Sequence, residues 1–274
     1  MTTPAERAEL AEIALLCARE AGALVSAGYR SRPRADEKGA HDLVTEFDRA
    51  SQSLVCSRLA SLAPSIPVVA EEDLPGASND RPTGLVWYVD PLDGTTNFVH
   101  GHPFWCVSIG LSEDASPVAG AIVAPSIGVS WVGWIDDPSR GAPGEVLRNG
   151  ERCTVSATAR LAEAMLGTGF PTVRDRAPDD NFASFVSVKR ASRAVRRCGS
   201  AAIDLAFVAD GTYDGYWERA LHVWDVAAGT ALVRAAGGLV TALDGGPPDL
   251  HAGHVVATNG RIHTDLVGTL QPAR

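Results

Sequence analysis

Apolar residues near the start of the chain recur every three or four positions, the spacing of one face of an α-helix. Between about residues 5 and 28 this pattern is formed by Leu10, Ile13, Cys17, Ala21, Leu24 and Gly28. A second segment with the same period follows Thr45, a residue type that often caps helix N-termini. The pattern therefore predicts that the fold opens with two amphipathic helices.

Short runs rich in β-branched and apolar residues follow, separated by turn residues. They predict strands at 85–89, 106–111, 118–124 and 127–134. Asn149-Gly150 lies between extended residues in the segment 146–155 and predicts a hairpin, because both central turn positions favour a positive φ. We expect this hairpin to close an N-terminal α+β half, residues 1–155, that carries most of the candidate ligands.

The second half, residues 156–274, alternates between helical and extended patterns. Helices are predicted near 180–190, 200–210 and 225–236, with strands near 194–198, 213–217, 238–243 and 254–258. This alternation is typical of an α/β architecture. Because no repeat or long linker interrupts the chain, the two halves are expected to pack tightly as one unit.

Composition narrows the possible functions. With 45% hydrophobic and 21% charged residues, the chain has the profile of a folded globular protein. A net charge of −9 disfavours direct binding to nucleic acid or to an anionic membrane. The five cysteines are scattered without metal-site spacing, and neither a leader-like start nor a membrane-span pattern is present. The expectation is a cytoplasmic protein with reduced thiols.

The most informative segment is Asp90-Pro91-Leu92-Asp93-Gly94-Thr95, directly after the apolar strand 85–89. Ligands of α/β folds collect at strand ends, where these carboxylates would lie. The backbone amides of Gly94 and Thr95 could bind an anion such as phosphate if a helix or turn begins there. Alternatively, Asp90 and Asp93 only end a strand and cap a turn.

Two further acidic residues, Glu71 and Asp225, also lie at predicted element boundaries. If these carboxylates converge, two charges ~5 Å apart at an effective dielectric of ~20 repel by roughly 3 kcal/mol. A divalent cation would remove that cost, and ligands that are all oxygen suit Mg²⁺ or Mn²⁺ better than zinc. Spacing alone does not establish convergence, since Asp225 could simply be a helix N-cap.

Residues 90–98 resemble the first signature of the inositol monophosphatase family, and Trp224-Asp225-Val226-Ala227-Ala228-Gly229 resembles the second. The resemblance continues, in family order, through residues 42–48, Glu71-Glu72, 167–171 and 199–202. It implies a layered α-β-α-β-α sandwich of the sugar phosphatase type. It also implies Mg²⁺-dependent hydrolysis of a small phosphate monoester, with inositol monophosphate as the expected substrate, in a lithium-sensitive homodimer.

Carried over residue by residue, the resemblance also implies a role for individual positions. Two or three Mg²⁺ ions would be bound by Glu71, Asp90, the Leu92 carbonyl, Asp93 and Asp225. Glu71, Thr95 and Asp48 would act on the attacking water, and Gly94 and Thr95 would bind the phosphate. The substrate pocket would be formed by Asp93, Gly199, Ser200, Ala201 and Glu218.

Other interpretations stay open for several of these residues. Asp48 could be only the capping-box partner of Thr45, and Glu218 could be a solvated acid paired with Arg219. His100, His102 and His222 are expected at packing or pocket-edge positions. Ala70, where the family usually has glycine, and the Gly/Pro-rich residues 140–144 depart from the family pattern.

Other activities would also fit the pattern. Phosphatases for fructose 1,6-bisphosphate, histidinol phosphate or nucleotide 3′-phosphates are alternatives on the same scaffold. A function of another class, a regulatory binding partner of the transcription machinery, is also possible for a member of this family.

Overall fold

The computed structural model describes residues 1–39, 42–73, 83–137, 143–171 and 180–270. Its α-helices are α1 Pro4–Ser26, α2 Glu46–Leu62, α3 Thr95–Val99, α4 Phe182–Ala191, α5 Ala201–Ala209, α6 Val223–Ala235 and α7 His263–Leu270. The two helices predicted at the start of the chain are confirmed. Each begins with a capping box, Thr3 with Glu6 for α1 and Thr45 with Asp48 for α2.

The strands are β1 Ala35–Gly39, β2 Asp42–Thr45, β3 Val68–Ala70, β4 Leu85–Asp93, β5 Cys106–Glu113, β6 Ser116–Ala124, β7 Val129–Trp134, β8 Glu145–Arg148, β9 Glu151–Arg152, β10 Met165–Thr168, β11 Ala194–Arg196, β12 Gly215–Glu218, β13 Leu239–Thr241 and β14 Val255–Thr258. The predicted strands are all confirmed within a few residues. Analysis of the sequence did not predict β1, β2, β3 and β10, or helix α7, because short or polar segments have little apolar signal.

Strands β3 to β9 form a seven-stranded sheet in sequence order, whereas the second sheet has five strands in the order β11-β10-β12-β14-β13. Strands β1 and β2 form a separate antiparallel pair. The turn between β8 and β9 has a positive φ at both Asn149 (50°) and Gly150 (84°), as predicted for the hairpin. The boundary between halves at residues 155 and 156 stays a prediction.

The helices and sheets stack in five layers. Helices α1 and α2 pack on one face of the seven-stranded sheet, and α5 and α6 lie between the two sheets. The outer face of the five-stranded sheet packs with α4 and α7 around Leu166, Val188, Trp217, Val256 and Leu266. This order confirms the predicted α-β-α-β-α sandwich.

Helix α6 packs closely against the seven-stranded sheet because glycines face it. A Cβ atom at Gly110 in β5 would lie 2.6 Å from the backbone nitrogen of Ala228, and one at Gly120 in β6 would lie 2.7 Å from its Cα. Neither distance is tolerated between real atoms. The absence of these side chains lets α6, and with it Asp225, lie against the sheet that carries Asp90 and Asp93.

Two sequence expectations concern the whole chain. All five cysteines lie in described residues and are reduced thiols, with Cys17 and Cys106 buried. None of the described helices is both long and apolar enough to cross a membrane.

We expect Gly110→Ala to lower the free energy of unfolding by about 1–3 kcal/mol, because the added methyl group forces α6 away from the sheet. Gly268→Ala is the matched control, since a Cβ atom at Gly268 in α7 meets nothing within 4 Å. That control should be neutral or slightly stabilising, as alanine favours a helix. Chemical denaturation measures both, and equal stabilities of the two variants would contradict the packing described for α6.

Candidate active site

The acid-rich turn predicted after residue 89 is the end of β4, which continues to Asp93. Its pairing with β5 shifts there: Asp90 faces Ser108 but Asp93 faces Cys106, so β4 contains one extra residue. In a regular strand, positions 90 and 93 would point to opposite faces of the sheet. The bulge lets both carboxylates line one cavity, as bulges near active sites commonly do.

Asp90 is the most deeply buried of the four acidic residues predicted as metal ligands, with 2% of its surface exposed. Its Oδ1 accepts a hydrogen bond from the Leu92 N–H at 3.0 Å. Burial, followed by the charges of Glu71, Asp93 and Asp225, raises the pKa of Asp90 well above its ordinary value. The four acids therefore lie close enough to repel one another.

Asp93 connects β4 to the start of α5. Its Oδ2 accepts hydrogen bonds from the Ser200 hydroxyl at 2.7 Å and from the Ala202 N–H at 2.8 Å. Burial and, next, the charge of Asp225 raise the pKa of Asp93 to about 7. Two neutral donors thus hold Asp93 in place but do not offset the cost of its charge.

Glu71 and Asp225 reach the same cavity from two other elements. Glu71 begins a short 3₁₀ turn, Glu71–Asp73, directly after β3. Asp225 is the third residue of α6, and its Oδ2 accepts the His222 N–H at 2.7 Å. The N-cap is therefore His222, and Asp225 is not the N-cap considered from the sequence but its capping-box partner at the third position of α6.

A cavity of about 800 Å³ brings the acidic residues together with Leu92, Gly94, Thr95, residues 199–201 and Glu218. In the described part of the chain, no three Asp, Glu, His or Cys side chains already surround a single point as metal ligands do. Asp90, Asp93 and Asp225 each have one oxygen that accepts a hydrogen bond from a neutral donor, and Glu71 lies within hydrogen-bonding reach of Asp90.

Gly94 leads into α3 with a φ of 88°, a conformation that favours glycine. A Cβ atom there would also lie 2.8 Å from the Phe104 carbonyl oxygen. The first N–H groups of a helix have no partner inside it, so those after Gly94 can face an anion in the cavity. This is the position predicted for phosphate binding, although α3 itself has only five residues.

Asp48 and Thr95 are in direct contact. The Thr95 hydroxyl lies 2.9 Å from Asp48 Oδ1 and 3.0 Å from the Leu92 carbonyl oxygen, and it can donate to either. Asp48 Oδ2 accepts the Thr45 N–H at 2.8 Å, which is the capping-box contact. Asp48 therefore makes the capping-box contact with one oxygen and the contact with Thr95 with the other.

Glu218 ends β12 and lines the cavity. It accepts a hydrogen bond from the Tyr216 hydroxyl, and burial raises its pKa to about 7 while the charge of Arg197 acts in the opposite direction. Arg219, the partner considered from the sequence, donates to the Ser184 hydroxyl at 3.3 Å. A Cβ atom at Gly169 would overlap the Glu218 carboxylate, at 2.0 Å, so this glycine makes room for the acid.

Analysis of the sequence did not assign roles to three residues of this region. The Asn97 amide donates to the carbonyl oxygens of Phe104 (2.6 Å) and Cys198 (2.9 Å), which ties α3 to the turn before α5. Asp204 is 1% exposed in α5, and its Oδ1 has no hydrogen-bond partner among the described residues. Arg197 lines the cavity. Only Asp204 had a sequence signal, as a lone charge in an apolar helix.

Other positions noted in the sequence include Ala70, His222 and the Gly/Pro-rich stretch. Ala70 ends β3, pairs with Val89 and is buried, and His222 lies at the cavity edge. Residues 140–142 of the Gly/Pro-rich stretch and the side chain of Asp42 lie outside the described residues.

The sequence model of the inositol monophosphatase family matches residues 6–273, nearly the whole chain. This chain belongs to the inositol monophosphatase family. The predicted family and enzyme class are thereby confirmed, and the protein is a phosphoric monoester hydrolase.

Relatives and solved structures agree with this assignment. An inositol-1-monophosphatase of Synechocystis is 40% identical over 96% of this chain and 89% of the relative. A protein of Pseudomonas aeruginosa called Nus factor SuhB is 39% identical over 95% of both chains. The structure of inositol monophosphatase from Anabaena superposes with a TM-score of 0.83 at 37% identity, covering 96% of this chain and 95% of that one.

We expect the metal-free protein, prepared in EDTA, to lose stability as the pH rises from about 5 to 7.5. The pKa of Asp93 is raised from 3.8 to about 7, so the folded state binds more protons than the unfolded state across this range. Each unit of pKa difference corresponds to about 1.4 kcal/mol. Thermal unfolding in EDTA, then with added Mg²⁺, measures the effect, and Mg²⁺ should stabilise the protein more at pH 7.5.

The control for this prediction is Asp93→Asn. Burial lowers the pKa of His263, which acts in the opposite direction below about pH 6.5, but this histidine is unchanged in the variant. The stability of Asp93→Asn should therefore depend less on pH than that of the wild type. Parallel pH profiles of the two proteins would contradict the assigned electrostatics.

Proposed function

We propose that this phosphatase hydrolyses a small phosphate monoester of a sugar-like alcohol, with inositol monophosphate as the first candidate, by means of Mg²⁺ and a water nucleophile. The observation that carries the proposal is the meeting of Glu71, Asp90, Asp93 and Asp225 in one cavity beside the Gly94 turn. The names of the relatives from Synechocystis and Anabaena support the choice of substrate.

The chemistry of this donor set fits Mg²⁺. Carboxylate and carbonyl oxygens are its preferred protein ligands, and the mutual repulsion that raises the pKa of Asp90 would be relieved by a cation. In this proposal Glu71, Asp90, the Leu92 carbonyl, Asp93 and Asp225 hold two or three ions, with Mn²⁺ as a possible substitute. Bound ions would supply a more acidic water and neutralise charge on the phosphoryl group.

The proposed catalytic residues of the chain itself are Thr95, Asp48 and Glu71. Asp48 orients the Thr95 hydroxyl by accepting its hydrogen bond, so that the Thr95 oxygen can accept a proton from water in the cavity as its own proton passes to the Asp48 carboxylate. Glu71, which lines the same cavity, would orient that water. The backbone N–H groups of Gly94 and Thr95 bind the phosphate oxygens.

The proposed alcohol pocket contains Asp93, Gly199, Ser200, Ala201 and Glu218. Activities toward fructose 1,6-bisphosphate, histidinol phosphate or nucleotide 3′-phosphates remain alternatives at this pocket. A cytoplasmic location, a homodimer without direct nucleic-acid or membrane contact, and inhibition by lithium stay predictions.

A second candidate function is a regulatory contact with the transcription machinery. It is favoured by the similarity to the Pseudomonas aeruginosa protein, whose name describes it as a Nus factor. Such a contact would use the protein surface and would not exclude phosphatase activity.

Phosphate release from a panel of inositol, fructose, histidinol and adenosine phosphates, with and without Mg²⁺, tests the proposed function. We expect Mg²⁺-dependent release that is fastest for inositol monophosphate. Release that is equally fast in EDTA would contradict the proposed metal dependence. A strong preference for another ester would replace the proposed substrate.

Asp93→Asn and Asp225→Asn should each lower kcat/KM by about 10³-fold or more while the protein remains folded, because each removes a charge from the proposed metal site. Asp265→Asn is the matched control, since Asp265 occupies the same third position in α7 but is exposed away from the cavity. Steady-state kinetics with circular dichroism measures both properties. Full activity of either site variant would remove that residue from the proposed ligand set.

Thr95→Ala and Asp48→Asn should each lower kcat by about 10²- to 10⁴-fold with little change in KM, because they act on the same proton. The double variant should be no worse than the poorer single variant. Thr96→Ala, an exposed neighbour on the same helix, is the control. Additive losses in the double variant would show that Thr95 and Asp48 act independently.

A further inference from the structure

Arg197 is a positive charge at the rim of an acidic cavity. It follows β11, is solvent-exposed and lines the cavity near Gly199. Among the described residues no hydrogen bond or ion pair engages its guanidinium group, although Arg148, Arg152 and Arg58 elsewhere all pair with acids. The donors of Arg197 are therefore available to a ligand in the cavity.

Two glycines leave room for charged side chains on this wall. A Cβ atom at Gly199 would lie 2.5 Å from Nη1 of Arg197, and one at Gly169 would lie 2.0 Å from Oε1 of Glu218. Gly199 also has a φ of 83°, so both its backbone conformation and its close approach to Arg197 favour glycine at this position. Glycine is therefore required where the Arg197 and Glu218 side chains pack against the backbone at positions 199 and 169.

Arg197 and Glu218 act on each other without touching. The charge of Arg197 lowers the pKa of Glu218 against the effect of burial, yet no ion pair joins the two groups in the described residues. The other groups that act on Glu218 are the Tyr216 hydroxyl, which donates to it, and the carboxylates of Asp225 and Asp93. Arg197 is the positive charge that balances this acidic wall.

We propose that Arg197 and Glu218 together bind neighbouring hydroxyl groups of the alcohol part of the substrate, with Glu218 accepting hydrogen bonds and Arg197 donating them. This inference rests on the proposed function and makes Arg197 a specificity residue for polyol phosphates. An ionised carboxylate only accepts and a guanidinium only donates, whereas a hydroxyl does both. Two adjacent hydroxyl groups can therefore satisfy the two side chains at once.

The same pair disfavours two of the alternative substrates. A second phosphate, as in fructose 1,6-bisphosphate, would gain from Arg197 but would meet the acidic side chain of Glu218 in the same cavity. A cationic amino alcohol such as histidinol would gain from Glu218 but would be repelled by Arg197. A neutral polyol avoids both penalties.

The test compares KM and kcat of the wild type, Arg197→Ala and Arg196→Ala with saturating Mg²⁺ on inositol 1-phosphate, p-nitrophenyl phosphate and fructose 1,6-bisphosphate. Arg196 is a matched control, because it is the exposed neighbour whose guanidinium donates to the Val195 carbonyl instead of lining the cavity. We expect Arg197→Ala to raise KM for inositol 1-phosphate about tenfold, the loss of one charged hydrogen bond. The aryl ester has no hydroxyl groups, so its KM should change less than twofold.

Three results would overturn the inference. A similar rise of KM for both esters would place Arg197 on the phosphate, and unchanged KM for both would make it a solvated surface residue. A larger loss for fructose 1,6-bisphosphate than for inositol 1-phosphate would make Arg197 a site for a second anion.

A binding measurement separates this inference from the proposed function. Calorimetric titration with free inositol, and with cyclohexanol as a control, needs no turnover. Inositol should bind the wild type about tenfold more tightly than it binds Arg197→Ala, and cyclohexanol should show no such difference. A wild type that hydrolyses no ester but binds inositol in this way would refute the proposed function alone, whereas inositol binding independent of Arg197 would refute the inference.

Discussion

The structure around the cavity depends on the repulsion among four acidic side chains held near one another. Burial of Asp90 and Asp93 removes the water that would weaken this repulsion, and both pKa values rise as a result. A protein selected only for stability would replace such acids with neutral or apolar residues. Their retention at a strand end beside an anion-binding turn is the arrangement expected of a phosphate-processing enzyme.

The fold supplies the rigidity that this arrangement requires. The bulge in β4 directs Asp90 and Asp93 to the same side. Because Gly110 in β5 and Gly120 in β6 have no side chain, α6 and its Asp225 can pack directly against the sheet. Hydrogen bonds from Ser200 and Ala202 to Asp93 join the start of α5 to β4. Acids from separate stretches of the chain are thus positioned by backbone packing, which costs little side-chain entropy on binding.

The two ends of the cavity have different electrostatic character. Asp90 and Asp93 accept hydrogen bonds from neutral donors, whereas Glu218 also faces the charge of Arg197. Cations are therefore expected at the first end and neutral polar groups at the second.

Five of the seven described helices, most strands, the hairpin turn and the family can be predicted from the sequence, because these depend on local periodicity, turn residues and contiguous motifs. The sequence also identified Glu71, Asp90, Asp93 and Asp225 as a possible cluster, but not whether they meet. That was decided by tertiary structure, since an element boundary in the sequence does not say which way a side chain points. The role of Asp225 within its helix, the double contact of Asp48 and the position of Arg197 beside Glu218 each depend on residues distant in the chain. Long-range packing determines such contacts, and no local pattern of side chains contains them.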